Sequence, residues 1–584
     1  VPENDTGLGK TAQSVLQRNG AGERTSELFL GLIKEAGEDT KTTDQFPRVQ
    51  TEPLGRIQAG PPAARPASGG HRRKKRRTST MYLITVSLWA LLCVPMVWSV
   101  RPSVERAFHE NAALGAAVIF TAVFVALFWL NGWKDLIYPI AYRVTPWRQQ
   151  YVPRRADVSM PLVGLLYVTC NDFSEEALSI SMQQGYPNCQ TFILDDSYKP
   201  GYREQVDSYA QAREIPVIRR ADRQGFKGGN LNNFLDTEDG RRLEYFVIVD
   251  SDEVLPPEFV TRALDYFAAD PSVGILQANH IATRNRTKFM RTFAPGVDAH
   301  WPAYQLVKAR AGFLSFLGHG AMISRDAYLA GGGFPEIVAE DIGFSLDLLR
   351  VGLRVEFAMD IVCEEEFPPD YAAFKKRHRK WTEGNMEFMR KYTRRIFFAR
   401  EFKWYERLDI ILFTYSLPLT GIFSLYVLVN AILFPSLGFS IRFPLWMLIP
   451  TVISLVAPML NDVLTWSGAP KRKLLSYLAH SVILFGSMYF TSLFTSLRTM
   501  FRSSVFNVTP KTSQRMSLGS ALRLNARELI AGTVLAVIVE AAAGSILPVI
   551  LLLIPAVFSV YLTVMNDGDT MENPDGRHIL KEDK

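Results

Sequence analysis

YFVIVDSD, residues 245–252, is an apolar, β-branched run that ends in two carboxylates one residue apart. Such a run predicts a buried strand, with Asp250 and Asp252 at its carboxyl end. The same grammar recurs in LVGLLYVT (162–169), TFILDD (191–196) and VGILQA (273–278), and helical patterns lie between them at 174–184 and 228–235. Strands alternating with helices predict a largely parallel sheet covered on both faces. Ligands of such sheets bind at the strands' carboxyl ends, which is where Asp195, Asp196, Asp250 and Asp252 fall.

Outside this block the composition changes. The 584 residues are 48% apolar with a mean hydropathy of +0.03, and 65 Lys+Arg face 58 Asp+Glu for a net charge of +7. That average hides uncharged stretches at 81–100, 111–133, 410–441, 443–461, 474–497 and, apart from Glu540, 529–566. A bilayer core of about 30 Å needs ~20 helical residues, so the first four fit one crossing each. The last is long enough for two, with GSILP at 544–548 as the turn. The stretch 474–497 differs. Lys471, Arg472 and Lys473 precede it, and Arg498, Arg502, Lys511, Arg515, Arg523 and Arg527 follow. Both flanks are cytoplasmic by the positive-inside tendency, so it reads as an interfacial or re-entrant helix, which its Ser and Thr content suits. About six crossings then place both termini and residues 134–409 in the cytoplasm. A purely soluble chain and a bare helical bundle are both excluded.

Residues 1–70 lack sustained apolar periodicity and read as disordered. GLGKT at 7–11 lacks the first glycine and preceding strand of a phosphate-binding loop, and is read as chance. No secretory signal with a small-residue cleavage site opens the chain, so the first apolar run is expected to stay as an anchor. HRRKKRR at 71–77 abuts that run, which favours a cytoplasmic membrane anchor over a nucleic-acid patch, and no nucleic-acid partner is expected. Cys93, Cys170, Cys189 and Cys363 form neither a disulfide framework nor a zinc spacing.

Individually, the chemistry-bearing residues are ambiguous. Asp250 and Asp252, with phosphate oxygens, can hold Mg²⁺ or Mn²⁺ in octahedral oxygen coordination, yet Asp is equally at home in turns. KGGN at 227–230 allows close backbone approach and sets Lys227 to meet a phosphate, or it simply starts a helix. GGGFPEIVAED at 331–341 ends in Glu340 and Asp341, a catalytic pair or a helix N-cap. KKRHRKW at 375–381 sets positive charge beside Trp381, and a face lying on anionic lipid explains the charge without explaining the indole.

Their order is more specific. Strand-DD, KGGN, DSD, ED and a basic helix ending in Trp resemble the D, DxD, TED, QxxRW series of family 2 glycosyltransferases. Among these the chain looks like the processive membrane-embedded synthases typified by bacterial cellulose synthase, curdlan-synthase-like enzymes included. FNVTPK at 506–511 matches their FxVTxK gating loop. The resemblance covers roughly residues 80–566. It implies an α/β GT-A (Rossmann-like) cytoplasmic domain inserted in an α-helical transmembrane domain of about six crossings plus interfacial helices.

By that resemblance Asp195, Asp196, Lys227, Asp250, Arg379 and Lys380 bind the nucleotide sugar, Asp250 and Asp252 the metal (Mg²⁺ or Mn²⁺). Asp341 is the catalytic base with Glu340 beside it, and Trp381 and His319 contact the acceptor. Phe506, Val508, Thr509 and Lys511 form the gating loop. There are departures: Ala339 replaces the TED threonine, Arg377 and Lys380 replace the glutamine and arginine of QxxRW, and FLGHGA at 316–321 stands in place of FFCGSA. They put acceptor and linkage in doubt more than reaction class.

The domain reading is a disordered basic region (1–77), two crossings (78–135), the GT-A domain (136–370), amphipathic interfacial helices (371–408), two crossings (409–466), an interfacial helix and gating loop (467–526), two crossings (527–566) and a short tail (567–584). With so short a tail, no cyclic-di-GMP module is expected in this chain. The implied function is a processive inverting β-glucan synthase of a bacterial inner (plasma) membrane. It uses UDP-glucose and passes its polysaccharide through its own channel, with the bilayer as partner and the need for an accessory export subunit left open. The alternatives are a non-processive UDP-sugar transferase acting on a lipid carrier, a polysaccharide synthase using UDP-GlcNAc, and a transporter or receptor whose domain only binds nucleotide. The last has no use for a base at Asp341.

Overall fold

In a computed structural model the described residues are 79–149, 151–156, 159–441, 443–502, 510–566 and 578–581. All belong to the compact unit Arg72–Lys584. Three of the gating-loop positions, Phe506, Val508 and Thr509, fall outside the described residues, as do the 1–77 region (the basic run included) and most of the 567–584 tail.

The polar block builds a seven-stranded sheet in the order β3-β2-β1-β4-β6-β5-β7. Its strands are β1 (Val163–Thr169), β2 (Cys189–Asp195), β3 (Val217–Ile218), β4 (Tyr245–Asp250), β5 (Val273–Ala282), β6 (Ala321–Ser324) and β7 (Arg354–Glu365). β1 and β4 are buried nearly throughout because packed clusters cover both faces of the sheet, one around Tyr167, Val247 and Phe259 and the other around Leu166, Phe246 and Phe344. This is why their sequences are continuously apolar instead of alternating. The sheet is largely parallel, as the sequence predicts, with one strand reversed. β6 runs antiparallel to both β4 and β5, because the excursion from 283 to 320 carries the chain past the sheet's carboxyl edge and β6 re-enters from that side. The sheet is therefore mixed.

Among the described residues, five helical spans are long and apolar enough to cross a membrane: Thr80–Glu110, Ala112–Val144, Leu445–Thr465, Lys471–Phe501 and Leu547–Val564. The 410–441 stretch is broken into shorter pieces, of which Thr420–Ser436 is the apolar part. The 529–566 stretch turns where expected. Helix Ala526–Ala543 ends on Gly544 at φ +67, and a helix restarts at Ile550. The first helix packs on the second, and the second packs against Leu448–Thr465 closely enough that a Cβ on Gly132 would meet Ser454 at 2.2 Å. That is the small-residue contact by which helices approach where no hydrophobic force drives them together.

The stretch read as interfacial is two helices, Lys471–Ser487 and Tyr489–Phe501. Length alone permits it to cross, but its polar side chains have another use. Thr491, Ser492, Thr495, Ser496 and Thr499 are buried, and Ser492 pairs with His378 Nε2 at 2.7 Å on the long basic helix Tyr371–Phe398. Lys375 on that helix is buried too, with its Nζ 2.9 Å from Glu528. Part of the basic run thus faces protein instead of lipid. Buried Asp409 ties the sheet domain to the second helix, accepting from Lys308 Nζ, Tyr138 Oη and Phe313 N at 2.8 Å each.

Burial, with help from Arg377, pushes His378 down from 6.5 to about 4. As pH falls below 6.5 the unfolded chain takes up that proton while the folded chain does not. The stability this neutral histidine contributes is present above 6.5 and is lost as pH falls towards 4. The thermal midpoint in detergent should drop across that interval, and His378→Gln should flatten the drop. An unchanged slope would remove His378 from the account.

Candidate functional site

β1 sets the two acid motifs side by side: Thr169 is opposite Asp195 on one flank and Val168 opposite Asp250 on the other. Asp195 is buried, accepting from Arg219 Nε at 2.7 Å and Ser197 N at 2.8 Å. Asp196 receives the fork of Arg220, Nε at 2.9 Å and Nη2 at 2.7 Å, a bidentate geometry that fixes the carboxylate's plane. Sequence reasoning missed both arginines. Their only signal was an adjacent pair following the two-residue strand β3.

Each carboxylate of the DSD turn holds an ammonium. Lys227 Nζ contacts Asp250 and donates to Gly318 O at 2.8 Å, and Lys511 Nζ stands 2.6 Å from Asp252 Oδ2. Lys227 reaches this point because its helix, Phe226–Leu235, starts on Gly225 at φ +70 and carries no side chains at the next two positions. A Cβ on Gly229 would lie 2.1 Å from Gln224 O. Desolvation raises the Asp250 carboxyl, but Lys227, then His319, outweigh it and hold it well below the carboxylate range. Desolvation lowers Lys511, and Asp252 more than reverses it. Two hard oxygen donors, each already facing a cation, fit Mg²⁺ or Mn²⁺ completed by phosphate oxygens.

Glu340 and Asp341 open the helix Glu340–Arg350. The N-cap is Ala339, without a side-chain cap bond, so neither acid serves as the cap. Asp341 Oδ1 accepts from Ile342 N at 2.7 Å, while Oδ2 lies 3.6 Å from where a Cβ on Gly318 would sit. Asp341 therefore borders the Gly318 loop that receives Lys227. Desolvation raises both carboxyls, and Asp341 adds to the rise on Glu340, against Lys227 and Lys380. Desolvation lowers the Lys380 ammonium, and Glu340 and Asp250 pull it back, which places Lys380 among these groups.

Arg379 is not brought to that cluster. One residue earlier on the helix is a rotation of about 100°, and Arg379 lines a separate cavity with Glu383, Thr491, Phe494, Arg498 and Arg527. Trp381 is 48% exposed, with the guanidinium of Arg377 4.7 Å from its ring centre. Arg377 also lies over Phe367 and Phe374. His319 turns towards Glu253, its Nδ1 3.3 Å from Oε1 and its Nε2 3.8 Å from Glu365. Burial lowers the His319 imidazole and Glu253 raises it to about 9, while Glu253 is itself held down to about 2 in spite of burial. Glu253 was not singled out from the sequence, although it directly follows the DSD.

Residues 245–461 match the family model described as glycosyl transferase family group 2. That window holds the DSD, Glu340, Asp341, Lys380 and Trp381, and excludes Asp195, Asp196, Lys227 and Lys511. Over 337 residues the chain is 24% identical to a probable glucomannan 4-beta-mannosyltransferase 7 of Oryza sativa subsp. japonica, covering 55% of this chain and 54% of the relative. Over 184 residues it is 28% identical to glucans biosynthesis glucosyltransferase H of Cereibacter sphaeroides, covering 29% and 30%. The chain thus spans about half, or less, of the length of these curated relatives. A crystal structure of GalNAc-T7 with UDP, GalNAc and Mn²⁺ aligns over 40% of this chain and 50% of that one, at 10% identity and a TM-score of 0.28, too weak a likeness to argue from.

Proposed function

We propose that this chain is a processive, inverting β-glycan synthase that takes UDP-glucose on its cytoplasmic face, through a GT-A-type domain, and feeds the polymer between its membrane helices. The observation that carries the reading is the convergence of Asp250 with Lys227, Asp252 with Lys511, and the Glu340–Asp341 pair with Lys380, at the carboxyl edge of one sheet and on the helix that ends the cluster with Trp381. The family-group match and two polysaccharide-synthesising relatives support the reaction class.

The chemistry follows from placement. Asp341, raised by desolvation, takes the proton of the acceptor hydroxyl as that oxygen attacks the anomeric carbon. The bond from that carbon to the diphosphate breaks, and in-line attack inverts an α-linked donor into a β-linkage. Lys227, Lys380 and Lys511 meet the charge left on the diphosphate. Mg²⁺ or Mn²⁺, held by Asp250 and Asp252, adds positive charge there when bound. Trp381 offers an aromatic face to the acceptor sugar, and Asp195 and Asp196, fixed by their arginines, are left for the nucleoside.

Glucose is one choice of sugar. Similarity to a glucomannan mannosyltransferase favours a second, a mannosyl donor and a β-mannan product. The test is reconstitution in lipid vesicles with UDP-glucose, UDP-GlcNAc, UDP-glucuronate and GDP-mannose, each with Mg²⁺ or Mn²⁺, followed by digestion with linkage-specific glycanases. Long polymer from one donor supports the proposal. Exclusively short lipid-linked product would leave the non-processive transferase standing.

Lys511 supplies a separate prediction. It closes the FNVTPK segment and meets Asp252, so Lys511→Ala should weaken donor binding about tenfold, the usual cost of one charge-assisted contact. Deleting 506–511 should slow turnover far more while leaving the fold intact. Steady-state kinetics check both, and normal polymer from the deletion would count against a gating role.

A further inference from the structure

The cavity that receives Arg379 has no part in the reaction described above. Three helices wall it: Tyr371–Phe398 contributes Arg379 and Glu383, Tyr489–Phe501 contributes Thr491 and Arg498, and Ala526–Ala543 contributes Arg527 and Glu528 from its first turn. Helical spacing puts these residues on one wall, because 379 and 383 are about one turn apart and 491 and 498 about two. The space is about 60 Å³. That is room for roughly four to six water-sized groups, about the size of one phosphate.

Its charge is unbalanced. Buried Glu528 is already matched, with Lys375 Nζ 2.9 Å from one oxygen and Thr491 Oγ1 donating to the other at 3.1 Å. Three arginines then face the single carboxylate of Glu383. Among the described residues none of the three is ion-paired, and the Arg527 guanidinium lies over the Phe494 ring, 5.2 Å from its centre. Guanidiniums gathered around a small cavity offer the planar forks that suit phosphate oxygens.

The rim indicates the source of that phosphate. Phe501 is three residues past Arg498 and Ile530 three past Arg527, so each is its arginine's neighbour on the helix surface. Both are exposed, as are Leu497 and Met500. A free anion needs the cations but has no use for an apolar border. A lipid uses both, its phosphate on the arginines and its acyl chains along the exposed side chains.

We propose that this cavity binds the phosphate of an anionic lipid headgroup through Arg379, Arg498 and Arg527. Binding there joins the helix that carries Lys380 and Trp381 to the helix that leads into residues 506–511. The site stands whether or not the chain is a glycan synthase; its influence on turnover rests on that reading.

The test reads lipid binding, not synthesis. The full-length chain is reconstituted in nanodiscs of phosphatidylcholine with a minor share of phosphatidylglycerol, and the lipid it retains is identified by native mass spectrometry. About one phosphatidylglycerol per chain should be held in preference to phosphatidylcholine. Arg498→Gln and Arg527→Gln should each lower that affinity by about tenfold or more, as loss of a charged contact does. Arg498→Lys, which keeps the charge without the fork, should recover part of it. Arg472→Gln, which removes an exposed cation from the other end of the 471–501 span, should stay within about twofold of wild type. The thermal midpoint of each variant certifies the fold. Inorganic phosphate should leave the lipid in place, and its displacing the lipid would reassign the cavity to a free phosphate and overturn the proposal. Equal retention of the two lipids, or unchanged phosphatidylglycerol affinity in both Arg498→Gln and Arg527→Gln, would overturn it as well.

Discussion

Asp341→Asn is expected to reduce polymer synthesis by about 10²–10⁴-fold, the usual contribution of a positioned general base, while donor affinity stays within about twofold of wild type because the charge-assisted phosphate contacts remain. Asparagine keeps the shape and can still accept from Ile342 N, as Asp341 Oδ1 does at 2.7 Å, so the helix start should survive. What it lacks is a lone pair able to take a proton at neutral pH. Glu340→Gln serves as the control. Glu340 is the more buried neighbour, adjacent to Gly228 in the Lys227 helix, so its loss should act partly through packing and alter donor KM as well as kcat. The measurement is initial rate against donor concentration for both variants, with nucleotide binding followed separately by calorimetry. Unchanged kcat in Asp341→Asn would remove Asp341 from the base role.

That prediction rests on a residue legible from the sequence, and it is instructive which of its neighbours were not. Strands such as Tyr245–Asp250 are buried on both faces, so an unbroken apolar run announces them. β3 has two residues and β6 four, too short for any period to emerge. β7, RVEFAMDIVCEE, mixes acids into a strand, and its Cys363 and Glu365 come within reach of His280 only through the fold. Arg219 and Arg220 were invisible for a related reason. Their partners Asp195 and Asp196 are 24 residues away, and no local pattern encodes a contact across two strands. Arg379 marks the opposite failure. The order of motifs located the helix correctly, but a positive charge next to Lys380 was assigned to the same site although the helical rotation turns it to another cavity. Spacing along the chain located elements, while side-chain direction needed the three-dimensional fold.

Trp381→Ala should abolish elongation while sparing the first half of the chemistry. Trp381 is half-exposed at the end of the cluster that Lys380 joins, and removing the ring deprives the acceptor sugar of its flat face without touching Asp250, Asp252 or Lys227. An acceptor held loosely seldom presents its hydroxyl within reach of Asp341, and misplacement of about 1 Å costs on the order of 10²-fold. Water, which needs no platform, still reaches the donor. Polymer yield should therefore fall by about 10²-fold or more while slow release of UDP and free sugar continues. Arg377 sharpens the test, because its guanidinium lies over the same ring as well as over Phe367 and Phe374. In the alanine variant it keeps two of its three aromatic partners, so the helix should hold. Trp381→Phe restores a face of smaller area and should recover part of the chain length but not all of it. Product sizing by gel filtration, run beside a coupled assay for UDP, gives both readouts from one reaction. Full-length polymer from Trp381→Ala would mean that the acceptor is held elsewhere, and a parallel loss of UDP release would mean that the indole supports the donor site instead.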